Sequence, residues 1–161
     1  MRIATQGNHK KPNLNLILLR IQAVFTFKKQ ERLTSLKEID ALFERKHSSG
    51  VSIYPLRAVY RTFAASDERE PAIKVLVSVA KKRLHHAVDR NRAKRQIREA
   101  YRLQHQALSE TLRTKGLRMN IAFVWLSNEP VNTQRIFEAM QNTLTSIEQR
   151  IAGTEKHSTD K

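Results

Sequence analysis

The 161-residue chain contains no cysteine. That absence excludes a disulfide scaffold, a thiol nucleophile, a Cys-ligated zinc site and an iron–sulfur cluster. The chain also lacks any apolar run near the ~18 residues that a membrane span requires. No segment repeats, and none is of low complexity. Acids are scarce: 15 Asp and Glu stand against 30 Lys and Arg, for a formal net charge of +15 and a pI near 10.7. They are also scattered. No pair announces a general acid and base, and no Asp/Glu cluster suggests two metals held by protein, so no catalytic residue and no metal ligand is assigned. What is present is 40 % apolar residues, enough for one core in a single domain. A charge excess this large exceeds what solubility needs and points to a polyanionic partner; an acidic small-molecule substrate would need only a few placed cations. The composition describes a soluble, cytoplasmic, nucleic-acid-binding domain with no membrane and no small-molecule partner.

Residues 1–24 hold no acid and four bases, Arg2, Lys10, Lys11 and Arg20. As a secretory signal the segment fails, because Arg20 interrupts the apolar stretch 14–24 and no small-x-small cleavage site follows before Phe25. It reads as a basic, poorly ordered extension. Residues 152–161 (AGTEKHSTDK) are small and polar without periodicity, and read as a disordered tail. The domain is therefore placed at residues 25–151.

Within it, Ser35 and Glu38 have capping-box spacing, and Leu36, Ile39, Leu42 and Phe43 then share a helical face. Residues 47–50 (HSSG) end that helix. Residues 51–63 are rich in β-branched and aromatic side chains, with Pro55 marking an edge or an irregular start. A charged turn occupies 65–71. Alternation over 73–79 predicts a strand. An unbroken helical pattern is expected from about 88 to 115, ending at Gly116. Residues 119–126 (MNIAFVWL) are apolar on both alternating faces, which predicts a central, doubly covered strand with Phe123 and Trp125 in the core. Asn132 or Thr133 caps a last helix, whose face carries Ile136, Phe137, Met140, Leu144, Ile147 and Ile151. The class is α+β, a two-layer α/β sandwich of one domain.

The chemistry concentrates in residues 81–102 (KKRLHHAVDRNRAKRQIREAYR). Nine bases, Lys81, Lys82, Arg83, Arg90, Arg92, Lys94, Arg95, Arg98 and Arg102, accompany the two acids Asp89 and Glu99. At about 100° per residue, Ala93, Ile97, Ala100 and Tyr101 fall within about 100° of one another, while Asn91, Arg92, Lys94, Arg95, Arg98 and Arg102 fill the opposite face. An ordinary solvated helix alternates signs to gain i,i+4 pairs. Here the outward face tolerates self-repulsion until phosphates neutralise it, and its arginines suit bidentate phosphate contacts. A merely solvated basic face and an anionic membrane surface are the competing readings.

These residues carry a resemblance. SVAKK at 78–82 followed by RNRAKRQIREAYR at 90–102 resembles the RNR signature of the bacterial ribonuclease P protein subunits. FKKQERL at 27–33 and EIDALF at 38–43 look like that family's first motif and first helix, and the last strand and helix also fall in place. Where some members have a turn glycine before the signature, this chain has Leu84, His85 and His86, and Ala93 stands where a larger aliphatic is usual.

The resemblance implies a βαβ unit with a left-handed crossover. It implies that an RNA subunit with bound Mg²⁺, not the protein, cleaves the 5′ leader from precursor tRNA. The partners would be the ribonuclease P RNA and precursor tRNA. Arg90, Asn91, Arg92, Lys94, Arg95 and Arg98, joined by Lys81 and Lys82, would face the catalytic RNA. Ile39, Phe43 and Tyr60 would line a leader cleft between the sheet and the first helix, and Arg32 would take either a leader-side role at that cleft or a structural one. Helical spacing alone makes Phe43 a core residue; only the resemblance moves it to the cleft. Phe27 is expected in the core, and His85 and His86 are expected to face RNA or solvent rather than a metal. A ribosomal-type RNA-binding protein without turnover is the alternative from another class. A helix-turn-helix reading would need two short helices in place of the long pattern.

Overall fold

Ser35 starts the first helix, as its spacing to Glu38 implies. Its hydroxyl oxygen accepts a hydrogen bond from the Glu38 N–H at 3.5 Å, and helix α1 runs Leu36–Phe43. The reciprocal half of the capping box is replaced by an ion pair, because the Glu38 carboxylate reaches Lys74 Nζ at 3.3 Å. The computed structural model describes residues 27–44 and 46–153. The basic extension 1–24 and the tail from 154 lie outside the described residues.

Four strands follow α1: β1 (Ser49–Ile53), β2 (Leu56–Ala64), β3 (Ile73–Ser78) and β4 (Leu117–Trp125), in the sheet order β1-β2-β4-β3. β1/β2 and β2/β4 pair antiparallel, β3/β4 parallel. The β-rich stretch 51–63 is thus two strands, because Pro55 lacks an N–H for the ladder and the chain reverses at Tyr54–Pro55. β4, between β2 and β3, is buried along nearly its whole length, as its two-faced apolar sequence predicts.

The connection from β3 to β4 carries helices α2 (Ala87–Gln104) and α3 (Gln106–Thr114), and a last helix, α4 (Thr133–Gly153), follows β4. The unbroken helix expected over 88–115 is corrected here: it breaks at His105. The His105 Nδ1–H donates to the carbonyls of Tyr101 and Arg102 at 3.0 and 3.1 Å, and the imidazole stacks on the Tyr101 ring with centroids 4.7 Å apart. A side chain that competes for backbone carbonyls ends the helix there. The apolar phase nonetheless continues, since Tyr101 and Leu108 are seven residues apart and both are buried. Gly116, at φ 63, then closes α3 in a conformation that costs glycine nothing. Asn132 is the cap of α4, its Oδ1 accepting from the Gln134 N–H at 2.8 Å. The expected apolar face of α4 is buried except for the half-buried Phe137, and α4 runs two residues past the expected domain edge.

The main core lies between one sheet face and α2, α3 and α4. Leu56, Ala58, Tyr60, Met119, Ile121, Phe123 and Trp125 meet Ile97, Leu112, Ile136 and Met140 there. Phe27 packs edge-on to Tyr101, with ring centroids 6.0 Å apart. The opposite sheet face carries a smaller cluster under α1: Leu33, Leu42 and Ala122, with Ile39, Val59 and Leu76 against it. The architecture is α+β in one domain, a two-layer sandwich with a short helix on the far face. Among the described residues no helix is long and apolar enough to cross a membrane.

Candidate nucleic-acid interface

Helix α2 divides as its sequence periodicity predicts. Ala93, Ile97, Ala100 and Tyr101 are the buried residues. On the opposite face Asn91, Arg92 and Arg95 are exposed, and Lys94 and Arg98 are half-buried at the flanks. At the end of that face Arg102 holds Glu99 in a fork, with Nε and Nη2 at 2.8 and 2.6 Å from its carboxylate oxygens. The Arg102 hydrogen bonds keep the Glu99 carboxyl below its ordinary range, so this acid stays ionised and local. No carboxylate among the described residues pairs with Arg92, Lys94, Arg95 or Arg98.

Arg90 is half-buried and lies to one side of these cations. Its Nη1 donates to the carbonyls of Leu84 at 2.9 Å and His85 at 2.6 Å. The reason is helical arithmetic: residues 90 and 97 are seven apart, so Arg90 lies on the side of buried Ile97 rather than among the outward cations. Its guanidinium therefore ties the 84–86 loop to the helix. Lys81 and Lys82 are exposed in the turn before that loop, and His85 and His86 are exposed beside them. Among the described residues no three His, Asp or Glu side chains group to hold a metal.

On the far face of the sheet a groove of about 410 Å³ lies between α1 and the strands. It is lined by Phe43 and Glu44 at the helix end, Ser48, Ser49 and Gly50 on one rim, and Arg57, Val59 and Val124 on the floor. Phe43 is 47 % exposed here, while its neighbour Leu42 is fully buried. Ile39 is half-buried in the cluster beneath α1. Register explains the floor: Gly50 faces Val59 and Val59 faces Ala122, while Ser52 faces Arg57 and Arg57 faces Val124. Arg57 and Arg61 thus stand on this face with Lys74, which pairs with Asn120, as Arg61 does.

Two residues expected at this cleft lie elsewhere. Tyr60 is a correction: it pairs with Ile121 and is 6 % exposed in the main core. Successive strand residues point to opposite faces, so Val59 and not Tyr60 looks toward α1. Arg32 forms a lone parallel bridge to Val75, and its guanidinium lies 5.7 Å from the Phe27 centroid, toward the α2 side. Its neighbour Leu33 takes the α1 side. The residues that sequence reasoning missed are Arg57, Val59 and Val124. The two-residue alternation of Arg57, Val59 and Arg61 was the available signal, but it could not say which face α1 covers.

Comparison with known proteins bears on the same residues. The family model described as Ribonuclease P matches residues 27–149. The ribonuclease P protein component of Porphyromonas gingivalis is 41 % identical over 125 residues, covering 78 % of this chain and 88 % of that protein. That of Chlorobium phaeobacteroides is 50 % identical over 48 residues, 30 % of this chain and 33 % of its own. Among solved structures, the Staphylococcus aureus RNase P protein superposes with a TM-score of 0.53 at 18 % identity, over 73 % of this chain and 94 % of that one, a likeness of fold. With its mixed four-stranded sheet, its one-sided basic helix and a family match that spans nearly every described residue, the chain belongs to the ribonuclease P protein family.

Proposed function

We propose that the chain acts as the protein subunit of a ribonuclease P holoenzyme in the bacterial cytoplasm, binding a catalytic RNA and the 5′ leader of precursor tRNA. The observation that carries this reading is the outward face of α2: Arg92, Lys94, Arg95 and Arg98 have no acid partner among the described residues and are backed by a buried stripe. A face so committed on one side and so repulsive on the other gains most from a phosphate backbone. Asn91, Lys81 and Lys82 extend the same contact, and Arg90 supports it indirectly by holding the loop between them. The groove under α1 takes the leader. An unpaired strand is bound there by backbone charge at Arg57 and apolar contact with Phe43, Ile39 and Val59, which tolerates sequence.

In the holoenzyme the RNA subunit performs the endonucleolytic hydrolysis. On this reading Mg²⁺ is bound mainly by that RNA, whose phosphates and waters suit a hard cation. The protein brings two polyanions together. Placed between them, a +15 chain offsets their repulsion and lowers the Mg²⁺ that cleavage requires.

The test is cleavage of a precursor tRNA at low Mg²⁺ by a bacterial ribonuclease P RNA, with and without the protein. The expected outcome is release of leader and mature tRNA only when both components are present. Tight RNA binding without any reduction in the Mg²⁺ requirement would leave a ribosomal-type binding protein as the better reading.

A further inference from the structure

At the end of the sheet where β1 turns into β2, Tyr54 stands 51 % exposed, yet its ring is held from two directions. The Tyr54 hydroxyl donates to Ser127 Oγ at 2.9 Å, and the Arg135 guanidinium lies 5.0 Å from the ring centroid. Ser127 is itself buried and anchored, donating to the Glu129 carbonyl at 2.8 Å and accepting from the Glu129 N–H at 3.1 Å. An exposed aromatic ring fixed before any ligand arrives loses little conformational freedom on stacking. The nearby guanidinium adds charge and a cation–π contribution.

Two separate hydrogen bonds join this platform to the basic region, one to α2 and one to the turn before it. Gln96 Nε2 of α2 donates to Thr133 Oγ1 at 2.7 Å, in the turn of α4 that carries Arg135. Arg83, directly after Lys81 and Lys82, donates to Asn128 Oδ1 at 3.0 Å, next to Ser127. The platform is therefore continuous with the cationic surface, on the helix side of the sheet and away from the groove under α1. We propose that Tyr54 and Arg135 form a stacking site for an unpaired base of the same RNA that the cationic face of α2 binds. Every base has a π-face, so the site selects unpaired nucleotides rather than a sequence. The inference rests on the proposed binding of a ribonuclease P RNA.

The test titrates the full chain and its Tyr54→Ala, Tyr54→Phe and Arg92→Ala variants against a bacterial ribonuclease P RNA over a range of salt. Tyr54→Ala weakens binding on the order of tenfold. Its salt slope stays that of the parent protein, because stacking releases no counterions. Tyr54→Phe, which keeps the ring, binds nearly as the parent does. Full affinity in Tyr54→Ala beside a weakened Arg92→Ala overturns the platform and leaves the RNA-binding reading standing. Full affinity in every variant overturns the platform and the Arg92 phosphate contact, while absence of RNA binding by the parent chain overturns the reading on which both rest. Equal losses in the Ala and Phe variants overturn the platform too, since the effect then belongs to the Ser127 hydrogen bond. A loss seen only once precursor tRNA joins the complex assigns the base to the substrate and overturns the choice of the catalytic RNA. Should Tyr54→Ala fail to fold, a benzophenone-bearing phenylalanine placed at position 54 decides the matter. Crosslinking to an unpaired nucleotide of the RNA supports the site, and absence of any crosslink overturns it.

Discussion

Arg90 and Arg92 sit two residues apart at the start of α2 in different surroundings, one bonded to loop carbonyls and the other exposed, and substitution separates them. Arg92→Ala should weaken RNA binding by about 1–3 kcal/mol and flatten the salt slope by about one unit, with the urea midpoint nearly unmoved. Arg90→Ala removes a charged donor from two loop carbonyls, so it should cost about 1–3 kcal/mol of folding stability and move the slope less. Equal slopes in Arg92→Ala and the parent would sink the phosphate-contact assignment. Tyr101 gives a second residue-scale expectation. Burial, with a smaller contribution from the charge of Glu31, pushes its phenol far above its ordinary value of 10.0. The folded state thus keeps a proton that the unfolded chain releases from about pH 10 upward. This contribution to stability is complete below pH 10 and is lost as pH rises beyond it. Urea midpoints at pH 8 and pH 11 should therefore fall more in the parent than in Tyr101→Phe; equal falls would mean that the phenol does not resist ionisation.

Among the elements, α1 both packs on the sheet and borders a groove. Leu42 fills the cluster above Ala122, while Phe43, one residue on, is left half-exposed at the groove. Phe43→Ala should spare binding of the catalytic RNA and weaken precursor tRNA relative to mature tRNA, measured as a ratio of affinities in the assembled complex. A variant that instead unfolds at ordinary temperature would show Phe43 to be core. The α2–α3 break belongs to this scale as well. Tyr101 and Leu108 stay in phase across His105, so hydrophobic spacing cannot reveal it; the break depends on an imidazole reaching two carbonyls. Capping residues were more legible. Ser35, Asn132 and Gly116 act within a turn of their own backbone, and each stands where its local chemistry predicts.

For the whole molecule, the salt dependence of RNA binding is the most direct readout of the charge. Five or six phosphate contacts predict an affinity that falls on the order of 10³-fold between low and moderate salt. A shallow slope in a filter-binding titration would mean that most of the +15 is solvated surface. The sheet separates two surfaces, the cationic face of α2 on one side and the groove under α1 on the other.

Composition and periodicity determined what depends on neighbours along the chain: the strand and helix segments, the caps, the buried and cationic faces of α2, and the demand for a polyanionic partner. Such features follow from the 3.6- and 2-residue repeats and from side chains acting within a turn of backbone. Only the tertiary structure decided which sheet face α1 covers, and with it that Val59 and Arg57 rather than Tyr60 floor the groove. A strand's alternation has two equivalent phases until another element packs on one of them. The pairing of Tyr54 with Arg135 and Ser127 was decided in the same way. Residues so far apart in the chain meet only when β1, β4 and α4 converge at one end of the sheet.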